Sequence, residues 1–105
     1  KENIIISGGE NIYPAEIEKI LNKENNVVES AVFGIPDNKW QEIPIAFVKI
    51  DSKSKFNLSK CKSNLKEKLA SYKIPKNILL IEDFPKNALG KIDYKLLKEY
   101  YDSLK

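Results

Sequence analysis

Two short segments of the chain carry residue types suited to anions: Ser7-Gly8-Gly9-Glu10-Asn11 near one end and Pro85-Lys86-Asn87-Ala88-Leu89-Gly90-Lys91 near the other. Glycine permits backbone conformations and a ligand approach that a Cβ blocks, and Lys91 projects a full positive charge on a flexible stem. Two such loops predict handling of an anionic nucleotide. Gly8-Gly9 lacks the further spacing of a Walker loop or a dinucleotide-binding fingerprint, so neither of those sites is expected.

Each loop is expected to join a strand to a helix. Ile4 to Ser7 reads as a short strand, and Pro14 suits the first position of a helix that carries Ile17, Ile20 and Leu21 on one face and ends at Asn25-Asn26. Val27 to Ile35 and Pro44 to Ile50 are rich in β-branched and aromatic residues and read as strands, with turn chemistry between them in Pro36-Asp37-Asn38-Lys39. Leu58, Cys61, Leu65 and Leu69 recur at helical spacing, which predicts a helix from about Ser59 to Ala70 with its lysines on the wet side. Asn77 to Ile81 reads as a strand, and Asp93 can cap a last helix burying Leu96, Leu97, Tyr100, Tyr101 and Leu104. The fold predicted is a small single α+β domain: a short mixed β-sheet flanked by about three helices, opening with a short β-hairpin.

Composition excludes much chemistry. A chain of 105 residues supports one modest core, and no apolar run approaches the roughly 20 residues that span a bilayer. There is no His, no Met and a single Cys, which removes histidine triads, zinc clusters and CxxC redox sites, so no metal ligands are assigned. All 18 basic residues are lysine, and a net charge of +3 is modest, so sequence-specific nucleic-acid binding is not expected. No signal-peptide pattern opens the sequence, and the lone Cys61 has no internal partner; a reducing cytoplasm is the expected compartment.

The run Ile5-Ile6-Ser7-Gly8-Gly9-Glu10-Asn11-Ile12-Tyr13-Pro14-Ala15-Glu16-Ile17-Glu18 resembles the signature that opens the C-terminal domain of acyl-CoA synthetases, members of the AMP-forming adenylating enzyme superfamily. Pro85-Lys86-Asn87-Ala88-Leu89-Gly90-Lys91-Ile92 resembles the last signature of the same superfamily. Val32-Phe33-Gly34-Ile35-Pro36-Asp37, Trp40, Glu42 and Ala46-Phe47-Val48 are similar to its middle segment in order and spacing. The resemblance spans nearly the whole chain. It implies a mobile lid whose partner, a large N-terminal domain holding most of the ATP and acyl pocket, is not in this sequence.

The chemistry so implied has two halves. A carboxylate first attacks the α-phosphate of ATP, and the resemblance assigns to Lys91 the stabilisation of charge at that phosphorus, with Asn87 and Gly90 as its supporting loop. The lid then rotates about a hinge, and the thiol of CoA attacks the acyl-adenylate. By the same resemblance Gly8, Gly9, Glu10 and Asn11 lie beside the pantetheine channel, and Trp40, Tyr72, Lys73 and Lys76 lie where the CoA nucleotide binds. ATP, CoA and Mg²⁺ are implied for the whole enzyme, while this domain alone is expected to be inactive. Two departures stand out: Gln41 sits where a glycine usually follows the tryptophan, and Leu89 replaces the common Ser or Thr before Gly90-Lys91. The hinge residue falls at or just ahead of Lys1 to Asn3. Two alternatives stay open, an adenylation domain loading a carrier protein and a non-enzymatic interaction module.

Overall fold

The two long β-rich runs fold back on each other. β3 (Val27–Asp37) and β4 (Gln41–Ile50) pair antiparallel from Val27↔Ile50 to Asp37↔Gln41, with a register shift between Val27 and Glu29. The ladder runs further toward the turn than the sequence pattern indicates, because Pro36 and Asp37 stay in it and the turn moves to Asn38–Trp40. The Asp37 carboxylate makes this possible by accepting from the backbone N–H groups of Lys39 (3.0 Å) and Trp40 (2.9 Å). The structure, a computed structural model, describes residues 3–51 and 55–105; apart from Asn3, the expected hinge position lies outside them.

Strand alternation sends Val32, Ala46 and Val48 to one face of this ladder and Ala31, Phe33, Ile45 and Phe47 to the other, and all of them are buried. The first face is covered by α1 (Pro14–Leu21) and α2 (Leu58–Lys68), through Ile17, Leu21, Cys61, Leu65 and the following Leu69. The second is covered by α3 (Tyr94–Ser103), through Leu97, Tyr94 and Tyr101. Burial of each large apolar side chain is worth about 1.5–3 kcal/mol, so neither face can lose its helix cheaply.

β1 (Ile5–Ser7) and β2 (Glu10–Ile12) form a hairpin whose Ile5↔Ile12 pair is buried in the first core. Gly8 and Gly9 therefore connect two strands, not a strand and a helix. Their φ values of 59° and 84° supply the positive dihedrals that a two-residue hairpin loop with native twist demands. β5 (Asn77–Leu80) adds to β4 in parallel, from Ile45↔Asn77 to Val48↔Leu80, so the five-stranded sheet is mixed.

Helix boundaries differ modestly from expectation. α1 starts at Pro14 but stops at Leu21, four residues before Asn25, and α2 runs from Leu58 to Lys68, with the Asn57 side chain accepting from Lys60 N–H. α3 is capped by Asp93 as predicted, yet of the five residues expected to be core only Leu97 is fully buried. Leu96, Tyr100 and Leu104 are exposed, because α3 packs against the ladder along the stripe of Tyr94, Leu97 and Tyr101.

The outer edge of β3 is closed by polar side chains. One carboxylate oxygen of Glu18, on α1, accepts from Val32 N–H at 2.8 Å and from the Tyr94 hydroxyl at 2.6 Å. Ser30, beside it on the same edge, donates to Asn22 Oδ1 at 2.6 Å. Burial pushes the Glu18 carboxyl above its ordinary value of 4.5, against the opposing pull of the bonds from Tyr94 and Val32. Burial and the adjoining Glu18 charge push the Tyr94 phenol up, which keeps it a donor.

A raised carboxyl pKa means that the native state holds the proton more tightly than the unfolded chain. The corresponding stability is present below pH 4.5 and is lost as pH rises through the folded value. Glu18→Gln, which keeps an oxygen acceptor and cannot ionise, is expected to flatten this part of the stability profile. Urea midpoints of both proteins from pH 4 to 8 check it, and parallel profiles would refute it.

Candidate functional site

Pro44 sits inside β4, opposite Gly34, and proline supplies no N–H to a ladder. At this point no strand is paired to the second edge of β4: β1 pairs only at Ser7↔Gln41, and β5 begins at Ile45↔Asn77. The break leaves a cleft of about 320 Å³ lined by Ser7, Gly8, Glu10, Trp40, Pro44, Ser71, Tyr72 and Lys76. The Pro44 carbonyl accepts from Lys76 N–H at 2.9 Å, which pins one wall.

Gly8 forms the opposite wall. Its N–H donates to the Trp40 carbonyl at 2.7 Å, and a Cβ on it would lie 2.8 Å from Trp40 Cε3. The indole thus packs on a surface that only glycine provides, and 43% of Trp40 remains open to solvent. Tyr72, 39% exposed, reaches the cleft from the short 3₁₀ turn Ser71–Lys73. Lys39 lies over the Trp40 ring at 5.0 Å, a cation–π contact that adds positive charge beside the indole. Aromatic faces beside ammonium groups suit a ligand with a flat ring and phosphates.

The structure gathers Gly8, Glu10, Trp40, Tyr72 and Lys76 and separates the other candidates from them. Lys73 is held by Glu16 at 3.1 Å, a hydrogen bond that raises its pKa, and does not line the cleft. Gly9 has nothing within 4 Å of a built Cβ, and Asn11 lies in β2 paired with Ile6. In sequence Pro44 reads only as the first residue of a strand; the signal that marks it is a proline within a long β-rich run.

The second loop is built to hold one lysine. Asn87 Oδ1 accepts from Leu89 N–H (2.9 Å) and Lys91 N–H (3.1 Å), while Asn87 N–H donates to the Lys91 carbonyl (2.8 Å). Gly90 takes φ 81°, and a Lys86↔Ile92 bridge closes the base. Leu89, at the position where Ser or Thr is common, is 81% exposed and makes no demand on that side chain. Lys91 is exposed at the foot of this knot, with its backbone fixed on both sides.

The sequence model of the AMP-binding enzyme C-terminal domain matches residues 16–91. The chain belongs to that family. The match ends on Lys91, and the Gly8 hairpin precedes it. A 2-succinylbenzoate–CoA ligase of Listeria monocytogenes is 46% identical over 99 residues, covering 94% of this chain and 21% of the ligase. A fatty acyl CoA synthetase structure from Mycobacterium tuberculosis superposes with a TM-score of 0.89 at 41% identity, covering 97% of this chain and 20% of that one. An o-succinylbenzoate CoA synthetase from Bacillus subtilis, bound with its product analogue OSB-NCoA, gives 0.85 at 37% identity, covering 94% and 20%. The chain spans about a fifth of the length of these relatives.

Within this family domain Gln41 has a physical cost. It takes φ 80°, a left-handed conformation that glycine adopts freely and a side chain resists by about 1–2 kcal/mol. Cys61 is buried on the inward side of α2, and its thiol is pushed up to about 11 by burial and by Glu24, which leaves it inert at neutral pH. Among the described residues no three acidic, His or Cys side chains converge on a point that could hold a metal ion. Among them, too, no helix is long and apolar enough to cross a membrane.

Two stability outcomes follow from this geometry. Gly8→Ala meets both a positive φ and the indole, and is expected to cost about 2–3 kcal/mol, against about 1–2 kcal/mol for Gly9→Ala, which meets only the positive φ. Gln41→Gly is expected to gain about 0.5–1 kcal/mol, the relief of strain less the entropy that glycine adds to the unfolded chain. Urea unfolding of the three variants measures them; equal costs at Gly8 and Gly9 would contradict the Trp40 packing.

Proposed function

We propose that this chain is the C-terminal lid of an AMP-forming acyl-CoA ligase, working against a large N-terminal domain of the same protein. The overall reaction joins a carboxylic acid to CoA, with ATP converted to AMP and pyrophosphate. The observation that carries the reading is the cleft beside Pro44, where Gly8, Trp40, Tyr72 and Lys76 meet in a family whose structurally characterised relatives include a CoA synthetase bound with a CoA-product analogue.

In the first half-reaction a carboxylate oxygen bonds to the α-phosphorus of ATP, and the bond from that phosphorus to the β-phosphate bridging oxygen breaks. Negative charge builds on the phosphoryl oxygens in this step, and Lys91 supplies a fixed positive charge to it from a loop that Asn87 and Gly90 hold in shape. In the second half-reaction the CoA sulfur bonds to the acyl carbon and AMP leaves. Gly8 lets the pantetheine arm pass close to the backbone, and Glu10 lines the same passage. Trp40 and Tyr72 offer faces for the adenine ring, with Lys76 set for a phosphate. Gly9 and Asn11 flank the passage at the hairpin, and Lys73 supports Tyr72 from its bond to Glu16.

Use of one lid for both steps calls for rotation between them, because the Gly8 hairpin is attached to β4 at Gln41 whereas the lysine loop stands on the β3 edge at Glu29 and Val32. ATP and CoA as substrates fit a cytoplasmic enzyme. The acid is set by the N-terminal domain, and 2-succinylbenzoate is the first to test, given the 46% identical Listeria ligase.

Lys91→Ala in the full-length protein is expected to slow acid-dependent pyrophosphate release roughly 100-fold or more and to leave thioester formation from preformed acyl-adenylate unchanged. Equal rates of pyrophosphate release in variant and wild type would defeat the assignment. Transfer to a carrier protein in place of free CoA would move the protein to the carrier-loading branch.

A further inference from the structure

The Lys91 loop has two feet, and both stand on the outer edge of β3. At one, Lys86 Nζ lies 3.0 Å from Glu29 Oε2. At the other, the Tyr94 hydroxyl donates at 2.6 Å to Glu18 Oε2, and the same oxygen accepts from Val32 N–H at 2.8 Å. Glu29 and Val32 are three residues apart on β3, so the feet stand about 10 Å apart along the strand. Tyr94 is the first residue of α3 and follows Lys91 by three positions; between them Ile92 packs on the second core and Asp93 caps the helix.

The two feet differ in strength. Lys86–Glu29 is a partly exposed ion pair, of the kind worth little in water. Tyr94–Glu18 is a short, charge-assisted bond between half-buried groups, and Glu18 is itself fixed to backbone on the edge strand. A loop that presents a charge to a transition state loses rate when the charge wanders by about an ångström. The stronger foot is therefore the one that sets where Lys91 stands.

We propose that Tyr94, through Glu18, is a positioning residue for adenylation: its hydroxyl locks the start of α3 to the β3 edge and so fixes the Lys91 loop, while the CoA-transfer half-reaction does not depend on it. The proposal rests on the reading of Lys91 given above. It concerns the half of that reading which uses the lysine loop, and leaves the cleft beside Pro44 untouched.

The test uses the full-length protein with ATP and 2-succinylbenzoate, following pyrophosphate release and, separately, thioester formation from the preformed adenylate. Tyr94→Phe is expected to lower kcat for pyrophosphate release about five- to tenfold, the equivalent of one lost hydrogen bond, with thioester formation within twofold of wild type. Glu18→Ala should give the same split, and the double variant should be no slower than Glu18→Ala alone. Asn64→Ala, on α2, removes a side-chain bond to Glu24 in the turn after α1 and serves as a control for general loosening; it should leave both half-reactions intact. Equal losses in both half-reactions for Tyr94→Phe, or no loss in either, would overturn the proposal. Lys91→Ala run alongside separates the two levels. If it abolishes pyrophosphate release while Tyr94→Phe does nothing, only the positioning role fails; if it does nothing, both fail.

Discussion

The β3–β4 ladder is covered on both faces, and that condition dictates most of the molecule. A strand pair buried on one side alternates apolar and polar residues, whereas here Ala31 to Phe33 and Ile45 to Val48 are apolar without interruption. Two helices must then go to one face and one to the other, which leaves the edges of the ladder as the only places where polar backbone can meet solvent or ligand. One edge is β3, closed by Glu18 and Ser30. The other is β4, shared between β1 and β5 and interrupted at Pro44. The lysine loop stands on the first edge and the cleft opens in the second, so both candidate sites exist because the faces are occupied.

The long ladder also sets the distance between them. The hairpin carrying Gly8 is attached at Gln41, and the Lys86 foot meets Glu29, the register partner of Lys49. Eight residues of β4 separate those attachments, about 26 Å at the rise of an extended strand, and five, about 17 Å, separate Gln41 from Ala46, the register partner of Val32 at the Tyr94 foot. The proposed lid, serving adenylation and thiol transfer in turn, would move as a body, and a sheet packed on both faces is stiff enough to do so without bending.

Much of this was legible in the chain. The strands, the three helices, the Pro14 start and the Asp93 cap followed from periodicity and capping residues whose effects are local. What escaped depended on tertiary partners. The opening hairpin was expected, but Asn11 and Ile12 carry no strand pattern of their own, and it is the burial of Ile12 against Ile5 that makes them its second strand. Leu96, Tyr100 and Leu104 match a helical stripe, but α3 meets the sheet along a neighbouring one, a rotation that depends on where Phe33 and Phe47 stand. In the cleft, Gly8 and Trp40 were separately visible, while their contact needed the β1–β4 pairing. Lys73 and Lys76 are indistinguishable in sequence; Glu16, 57 residues from Lys73 along the chain, decides which of them lines the cleft.

Gln41 and Tyr94 show how a departure from pattern acquires meaning once its surroundings are known. At Gln41 a side chain sits on a left-handed backbone beside Trp40, so the expected glycine there answers to φ. The cost is borne by the turn that Asp37 organises and leaves the cleft intact. Tyr94 contributes in the opposite way, since no feature of its sequence neighbourhood beyond an aromatic at a helix start marks it out. Its hydroxyl has a function only because Glu18 arrives from the other face of the sheet. Edge strands need their outward N–H groups satisfied, and a carboxylate buried to do that has a second lone pair to offer. The protection of β3 and the placement of the lysine loop are therefore the same interaction, which is why the strand that holds the core together also holds the residue proposed to do the chemistry.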